Sequence, residues 1–417
     1  MGLTLGRMNW GEAAFGVAPA VWTYLEILGK PNTSGLKRPY HADERLRQTL
    51  TRTPGVIGAQ SESSIDLELP LRGINAAAPA AGPLTATVIP HIRLLSHAMG
   101  DGYLFDGGAG TAFSTCTAID VTKMILTLVD ETKYLTGVAI GLWTNDGTTN
   151  RFETGVIQDK DAVTHKLTLR APLANATPGK VGGGSITVYA GYTLYLSAKA
   201  WGIANCIGLQ ILGDLAADMF SIQSARPAAC SLELHPKEFG KLKATLGVAE
   251  WTMPGAGGNP AYVAPATPVR QQIMGGVCRV YMSAARTELD TNTMSLDLGL
   301  KTDQPKNQNY AQGVGDIILL DRDPILKMNP TYLNQNLRAG FAAGTPADVL
   351  VQFGSDAGRV FGVNIPVARL NDETSHGDVN DRKIQELAWQ AQHYEADITA
   401  GGKGSAAANS DMCVFFL

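Results

Sequence analysis

Apolar and polar residues alternate along much of this chain. Ile65, Leu67 and Leu69 alternate with Asp66 and Glu68. Ile207, Leu209 and Ile211 alternate with Gly208 and Gln210, and Phe220 and Ile222 with Ser221 and Gln223. Leu232 and Leu234 are set against Ser231, Glu233 and His235; Met294, Leu296, Leu298 and Leu300 against Ser295, Asp297 and Gly299. A period of two puts one face in a core and the other outside, as in antiparallel sheet. The stretch 193–247 concentrates the pattern, with strands expected at 193–201, 206–211, 219–224 and 230–235. Its last part, PKEFGKLKATLG at 236–247, changes period. Phe239, Leu242 and Leu246 share a helical face, Pro236 suits a first turn and Gly247 a C-terminal cap, so a helix is expected. PHIRLLSHAMG at 90–100 predicts another, with Ile92, Leu95 and Met99 on one face. The strand at 56–71 followed by this helix echoes 230–247, either as an internal duplication or as a recurring strand–helix unit.

Further strands are expected at 22–29, 276–284, 315–320, 325–328, 384–396 and 413–417. Those at 348–353 and 359–368 form a hairpin across a glycine turn, and 330–337 predicts a helix. Residues 3–10 read as an arm and 43–53 as an exposed segment. The Pro/Gly/Ala run at 253–268 reads as an exposed or interface-wrapping loop. Between 118 and 190 come five short strands, at 124–129, 135–144, 151–158, 164–169 and 185–189. Polar turns separate them, which predicts a small barrel or sandwich inserted on the surface of a larger domain. The organisation expected is an N-terminal arm and loop region (1–55), a discontinuous β-domain (56–114 with 191–417) and the insertion (115–190).

Composition narrows the functions. The chain has 417 residues, 45% hydrophobic and 17% charged, so a sizeable core is available beneath a lightly charged surface. A formal net charge of -4 argues against gripping nucleic-acid phosphates, which needs a basic footprint. The five cysteines, Cys116, Cys206, Cys230, Cys278 and Cys413, contain no CxxC pair and read as small buried hydrophobes in a reducing compartment. The first eleven residues lack the basic start and apolar core of a leader, and no apolar run reaches the ~18 residues of a membrane span. A soluble protein made in the cytoplasm is expected.

No catalytic constellation emerges. DGGAGT at 106–111 lacks the lysine and preceding apolar strand of a phosphate-binding loop. His91 and His97 are six apart, which is not the same-face spacing of a two-histidine metal site. No serine has G-x-S-x-G around it. Asp372, Glu373, His376 and Asp378 cluster in NDETSHGDVND, but their spacing is not that of a calcium-binding hand and reads as a solvated loop. Neither a cofactor nor a metal is expected, and the chain does not read as an enzyme. The six tryptophans are scattered, which favours core or interface anchors over a sugar-binding platform.

From residue 56 onward the order of elements resembles the tail tube proteins (major tail proteins) of long-tailed bacteriophages. The carriers are SESSIDLEL with its short helix, CIGLQILGDLAADMFSIQSARPAACSLEL, TMSLDLGL, GVGDIILLDRDPIL, DVLVQFGSDAGRVFGVNIPVARL, IQELAWQAQHYEAD and the terminal CVFFL. They cover roughly 55–110 and 190–417; the segment 115–190 resembles the added surface domains of some members. The resemblance implies a mainly β, tail-tube-like sandwich or barrel with one or more short helices. Copies would join into rings of six, or of three if the echo were a true duplication. The rings would stack into a helical tube in the virion tail, a conduit for DNA ejection. It implies a tape measure protein and tail terminator or distal tail proteins as partners, passage of double-stranded DNA without specific binding, and no membrane. An acidic lumen is implied, with Asp66, Glu68, Asp297 and Asp316 as candidate wall residues. Cys413, Val414, Phe415, Phe416 and Leu417 are the candidate self-association segment, paired in the sheet or against a neighbour. The alternative is another tail or baseplate structural protein, or a receptor- or carbohydrate-binding β-protein.

Overall fold

The computed structural model describes residues 7–29, 31–36, 40–41, 56–57, 63–74, 90–100, 103–105, 113–174, 177–178, 186–196, 205–212, 219–235, 238–252, 273, 278–282, 287–289, 291–310, 313–330, 344–372, 376–379, 382–385, 387–394 and 410–417. Over these the chain is mainly β, with antiparallel sheets and one short helix. The principal sheet is 16-stranded and curls into a nearly closed barrel.

Two long strands produce the curl by changing partners along their length. Met219–Leu234 pairs first with Cys206–Leu212 and then with Thr291–Asp297, while Lys241–Thr252 follows its other edge. Phe361–Asp372 pairs first with Cys413–Phe416 and then with Leu387–Ala391. Register shifts between Pro227 and Ala229 and between Leu370 and Asp372 add local twist, as bulges do. Pro227 lacks an N–H, so an irregular point in the ladder suits it.

The helix, Pro90–Ala98, packs on Met219–Leu234 and on Thr23–Leu25. Pro90 fills a first-turn position, and Gly100 ends the helix at φ +84 with its N–H on the His97 carbonyl. Every residue from His91 to Gly100 is buried. Ile92, Leu95 and Met99 join the main core as the periodicity predicts, together with Leu94 and Ala98.

An 8-stranded sheet forms from 115–190. Its strands are Thr115–Ile119, Ile125–Leu128, Ala139–Asn145, Asn150–Asp161, Lys166–Leu169, Thr177–Pro178, Ile186–Thr187 and Tyr189–Ala190. The polar turns fall where the sequence places them. Gly147 sits at φ +98 beside Asp146, which accepts from the Thr148 and Thr149 N–H groups; Asp161 does the same for Val163 and Thr164. Leu126, Leu128, Ile140, Leu142, Ile157, Leu167 and Leu169 build a core of its own. The flanking strands Tyr103–Phe105 and Tyr192–Tyr195 pair with each other in the principal sheet.

The two sheets meet along a seam. Ala139, Phe152 and Val156 pack on Leu350, Val360, Cys413, Phe415 and Leu417. Buried Gln352 crosses it: Nε2 donates to the Phe152 carbonyl at 2.7 Å, and Oε1 accepts from the Thr154 hydroxyl at 3.1 Å. The Thr193 hydroxyl accepts from the Ala139 N–H at 2.9 Å.

Several expectations are corrected. The segment 241–252 is a strand, not the end of a helix. Leu242, Ala244, Leu246 and Val248 point inward and Lys241, Lys243 and Thr245 outward, because Ser63–Pro70 and Met219–Leu234 pair with both edges. Gly247 is not a cap: a Cβ there would come within 2.6 Å of Ile317 Cδ1. With that helix gone, the strand–helix echo disappears. The expected strands 219–224 and 230–235 are one, continuous through Ser224 at φ +56. The expected arm contains a strand, Arg7–Ala13, paired with Cys206–Leu212, and Met8 and Trp10 are fully buried. The strand reading of 384–396 holds as Arg382–Gln385 and Leu387–Ala391, and the 348–368 hairpin as Ala347–Phe353 with Phe361–Asp372. The expected helix 330–337, the segment 43–53 and the loop 253–268 lie outside the described residues, apart from Pro330 at the end of a strand.

Candidate functional site

Three of the four candidate acids share one surface. Register aligns Asp66 with Thr245, Glu68 with Lys243, Lys243 with Ser231 and Ser231 with Asp297. Alternation turns these side chains away from the core, where they border a groove of about 420 Å³ with Asn32 at its rim. The surface is of mixed sign. Lys241 lies 3.4 Å from Glu68, Lys243 lies 2.6 Å from Glu233, and Lys327 is exposed one strand beyond Ser295. Asp66 accepts from the Thr245 hydroxyl at 2.7 Å and from Asn32 Nδ2 at 3.2 Å; Asp297 accepts from the Gly299 N–H at 2.9 Å. Along the other edge of Ser63–Pro70, the backbones of Leu28, Asn32 and Gly35 bond to those of Glu68, Asp66 and Ser64. These bonds shield an edge open to pairing with other chains.

Asp316 stands apart from this group. It forms a two-pronged pair with Arg226, at 2.8 and 2.7 Å, beside the Cys206 thiol. The Arg226 guanidinium is buried while the Asp316 side chain stays 34% exposed, so this candidate wall residue also serves a structural ion pair.

The candidate self-association segment is internal. Cys413–Phe416 pairs with Tyr192–Tyr195 on one edge and with Phe361–Asp372 on the other. Cys413, Val414, Phe415, Phe416 and Leu417 all have 0% exposure. Of the two pairings open in the sequence, the one within the sheet is realised, and neither edge is left for a neighbouring copy.

Sequence reasoning missed a charged cluster beneath the helix. Arg93 and His97, one turn apart, both reach Glu12 on Arg7–Ala13. Arg93 Nε lies 2.8 Å from Glu12 Oε1, and His97 Nε2 lies 2.7 Å from the same oxygen. Burial alone would raise the Glu12 carboxyl, but the hydrogen bonds from His97 and Arg93 and their charge hold it at about 2. Burial lowers the His97 pKa; the Glu12 contact opposes that shift, and Arg93 and Arg226 add to it. The i, i+4 spacing of Arg93 and His97 was visible in the sequence, but nothing local marked Glu12, 81 residues before Arg93. His91 is on another side of the helix, against the Arg72 carbonyl at 3.2 Å and the Phe416 ring. The two histidines therefore share no site.

The four thiols among the described side chains are not poised for chemistry; that of Cys278 lies outside them. Cys116, Cys206, Cys230 and Cys413 are free and buried. Burial pushes Cys116 and Cys413 up to about 11 and Cys206 to about 12, and raises Cys230 as well. A protonated, covered thiol is a poor nucleophile. Among the described residues no group of three or more His, Cys, Asp or Glu could hold a metal ion. The NDETSHGDVND segment contributes a short hairpin, His376–Val379 with Arg382–Gln385, whose side chains lie outside the described residues. Among the described residues no helix is long and apolar enough to cross a membrane. No protein-family model and no curated protein matches the chain.

Proposed function

We propose that this chain is a structural subunit of a bacteriophage tail tube, self-assembling into stacked rings whose channel conducts DNA. The observation that carries the reading is the long antiparallel sheet, curled nearly closed around one buried helix, with a second sheet fused along its last strand. A conduit needs a rigid wall rather than a reactive site. Lumen-facing residues must not bind phosphates, and on the mixed face Asp66 and Asp297 have no lysine pair among the described residues. Self-association then rests on surfaces other than the terminal strand, which is consumed inside the subunit.

The test is assembly of the purified full chain over rising concentration, followed by light scattering and negative-stain microscopy. Rings or tubes with a central channel are expected. A protein that stays monomeric at every concentration and salt, and that instead binds a glycan, would replace the tube with the receptor-binding alternative.

A further inference from the structure

We propose that Glu12, Arg93 and His97 form a proton-sensitive latch that holds the helix Pro90–Ala98 on the barrel at neutral pH and releases it in mild acid. The inference rests on this cluster alone and does not depend on the tube reading.

The geometry fixes the protons. Ionised Glu12 can only accept, so His97 Nε2 carries the hydrogen that meets Glu12 Oε1 at 2.7 Å. Nδ1 then holds the lone pair where a second proton would go. That atom is buried and has no hydrogen-bond partner among the described residues. The Trp10 ring stands edge-on at 6.0 Å, and its indole N–H cannot accept. A proton on Nδ1 would therefore be a buried charge without an acceptor.

The surrounding charges also oppose it. Arg93 comes from the helix itself and Arg226 from Met219–Leu234. Arg322, from Ile318–Arg322, donates through Nε to the Ala98 carbonyl at 3.2 Å. Arg72 pairs with Glu26 near the start of the helix, where its carbonyl meets His91. The anions are Glu12, Glu26 and Asp316, and Glu12 and Asp316 already neutralise Arg93 and Arg226. A helix C-terminus usually welcomes a cation, but Arg322 already serves its last carbonyl.

The sign follows. The folded pKa of His97 lies below its ordinary 6.5. The released helix binds one more proton than the docked one at any pH between the two values. Docking is thus strongest above 6.5 and weakens as pH falls below it. Glu12 adds a second loss only below its ordinary 4.5, down towards 2.

The experiment is hydrogen exchange of the full chain, read on the peptide covering 91–99 from pH 7.5 to 5 and corrected for intrinsic rates. Opening of the helix should rise up to about tenfold per pH unit below 6.5, the slope for uptake of one proton. Strand Ala139–Asn145 serves as the internal control and should stay flat. His97→Gln keeps a side-chain N–H for Glu12 but cannot take up the proton, so its helix should show no such rise. An unchanged wild-type helix, or an equal rise in His97→Gln, overturns the proposal. If that variant does not fold, NMR titration of His97 in the wild type decides. Uptake coincident with helix opening supports the latch; a midpoint at or above 6.5 with the helix still protected overturns it.

Discussion

His97 in the barrel and His165 on the inserted sheet each meet a glutamate, Glu12 and Glu131, yet their proton affinities move apart. The His97 side chain has 0% exposure and that of His165 55%. In the first, burial outweighs the carboxylate; in the second, the hydrogen bond to Glu131 outweighs burial and raises the pKa above 6.5. The same pairing therefore has opposite consequences in the two regions, and solvent decides which. The contrast extends to how each sheet is closed. The barrel buries a helix with charged groups beneath it. The inserted sheet closes on a largely aliphatic core tied by Tyr134, its hydroxyl donating to the Val188 carbonyl at 2.6 Å and accepting from the Ser114 N–H at 3.0 Å.

The sharpest way to break the distinction is to cut what the two regions share. Phe415 is fully buried in the seam, and its ring lies so near Gly362 that a Cβ there would sit 2.0 Å from Cζ. Phe415→Ala should cost about 3–5 kcal/mol, the usual range for a buried Phe truncated to Ala. Because the seam belongs to both cores, calorimetry should show one lowered transition for both sheets. A transition that splits, with the inserted sheet melting at its wild-type temperature, would mean that the sheets are energetically separate.

A smaller cut separates polar from apolar contributions to the same seam. Gln352→Ala leaves the Phe152 carbonyl and the Thr154 hydroxyl without their partner in a buried site. The expected loss is about 1–3 kcal/mol. Exchange should rise around 152–154 and 350–354 while the helix is untouched. No change in denaturant midpoint would show that the apolar contacts alone fix the junction.

Legibility in the sequence follows the same divide. The inserted sheet was readable because short strands there end at turns with their own chemistry, such as Asn145-Asp146-Gly147 and Asp161. The barrel was readable where apolar and polar positions alternate, as in Ser63–Pro70, and where a short apolar run ends at a glycine turn, as in Ala347–Phe353. It was misread at 236–247, where a leading proline and a trailing glycine copied the signature of the true helix at 90–100. Two cues separated them. KLKATLGV keeps period two for eight residues, and Gly240 interrupts any helix through the segment. The candidate acids were legible as outward positions, since alternation alone puts Asp66, Glu68 and Asp297 on one side of their strands. The pairing of Asp316 was not legible, because Arg226 lies 90 residues away and no local pattern encodes that pair. The inward fate of residues 413–417 was left open by composition and decided by two strands remote in sequence.

The smallest effect tests the histidine comparison directly. His165 has a raised folded pKa, so its contribution is fully present below 6.5 and is lost as pH rises through the higher folded value. The tip of the inserted sheet should therefore hold best in mild acid, where the barrel helix loosens. NMR titration of the histidine rings, assigned with His165→Asn, should give a midpoint above 6.5 for His165 and below 6.5 for His97. Glu131→Gln removes the charged acceptor and should return His165 towards 6.5, leaving His97 where it was. Should His165 titrate at or below 6.5 in the intact chain, its link to Glu131 contributes nothing in solution. The two sheets would then differ in shape and in core, but not in how they answer to protons.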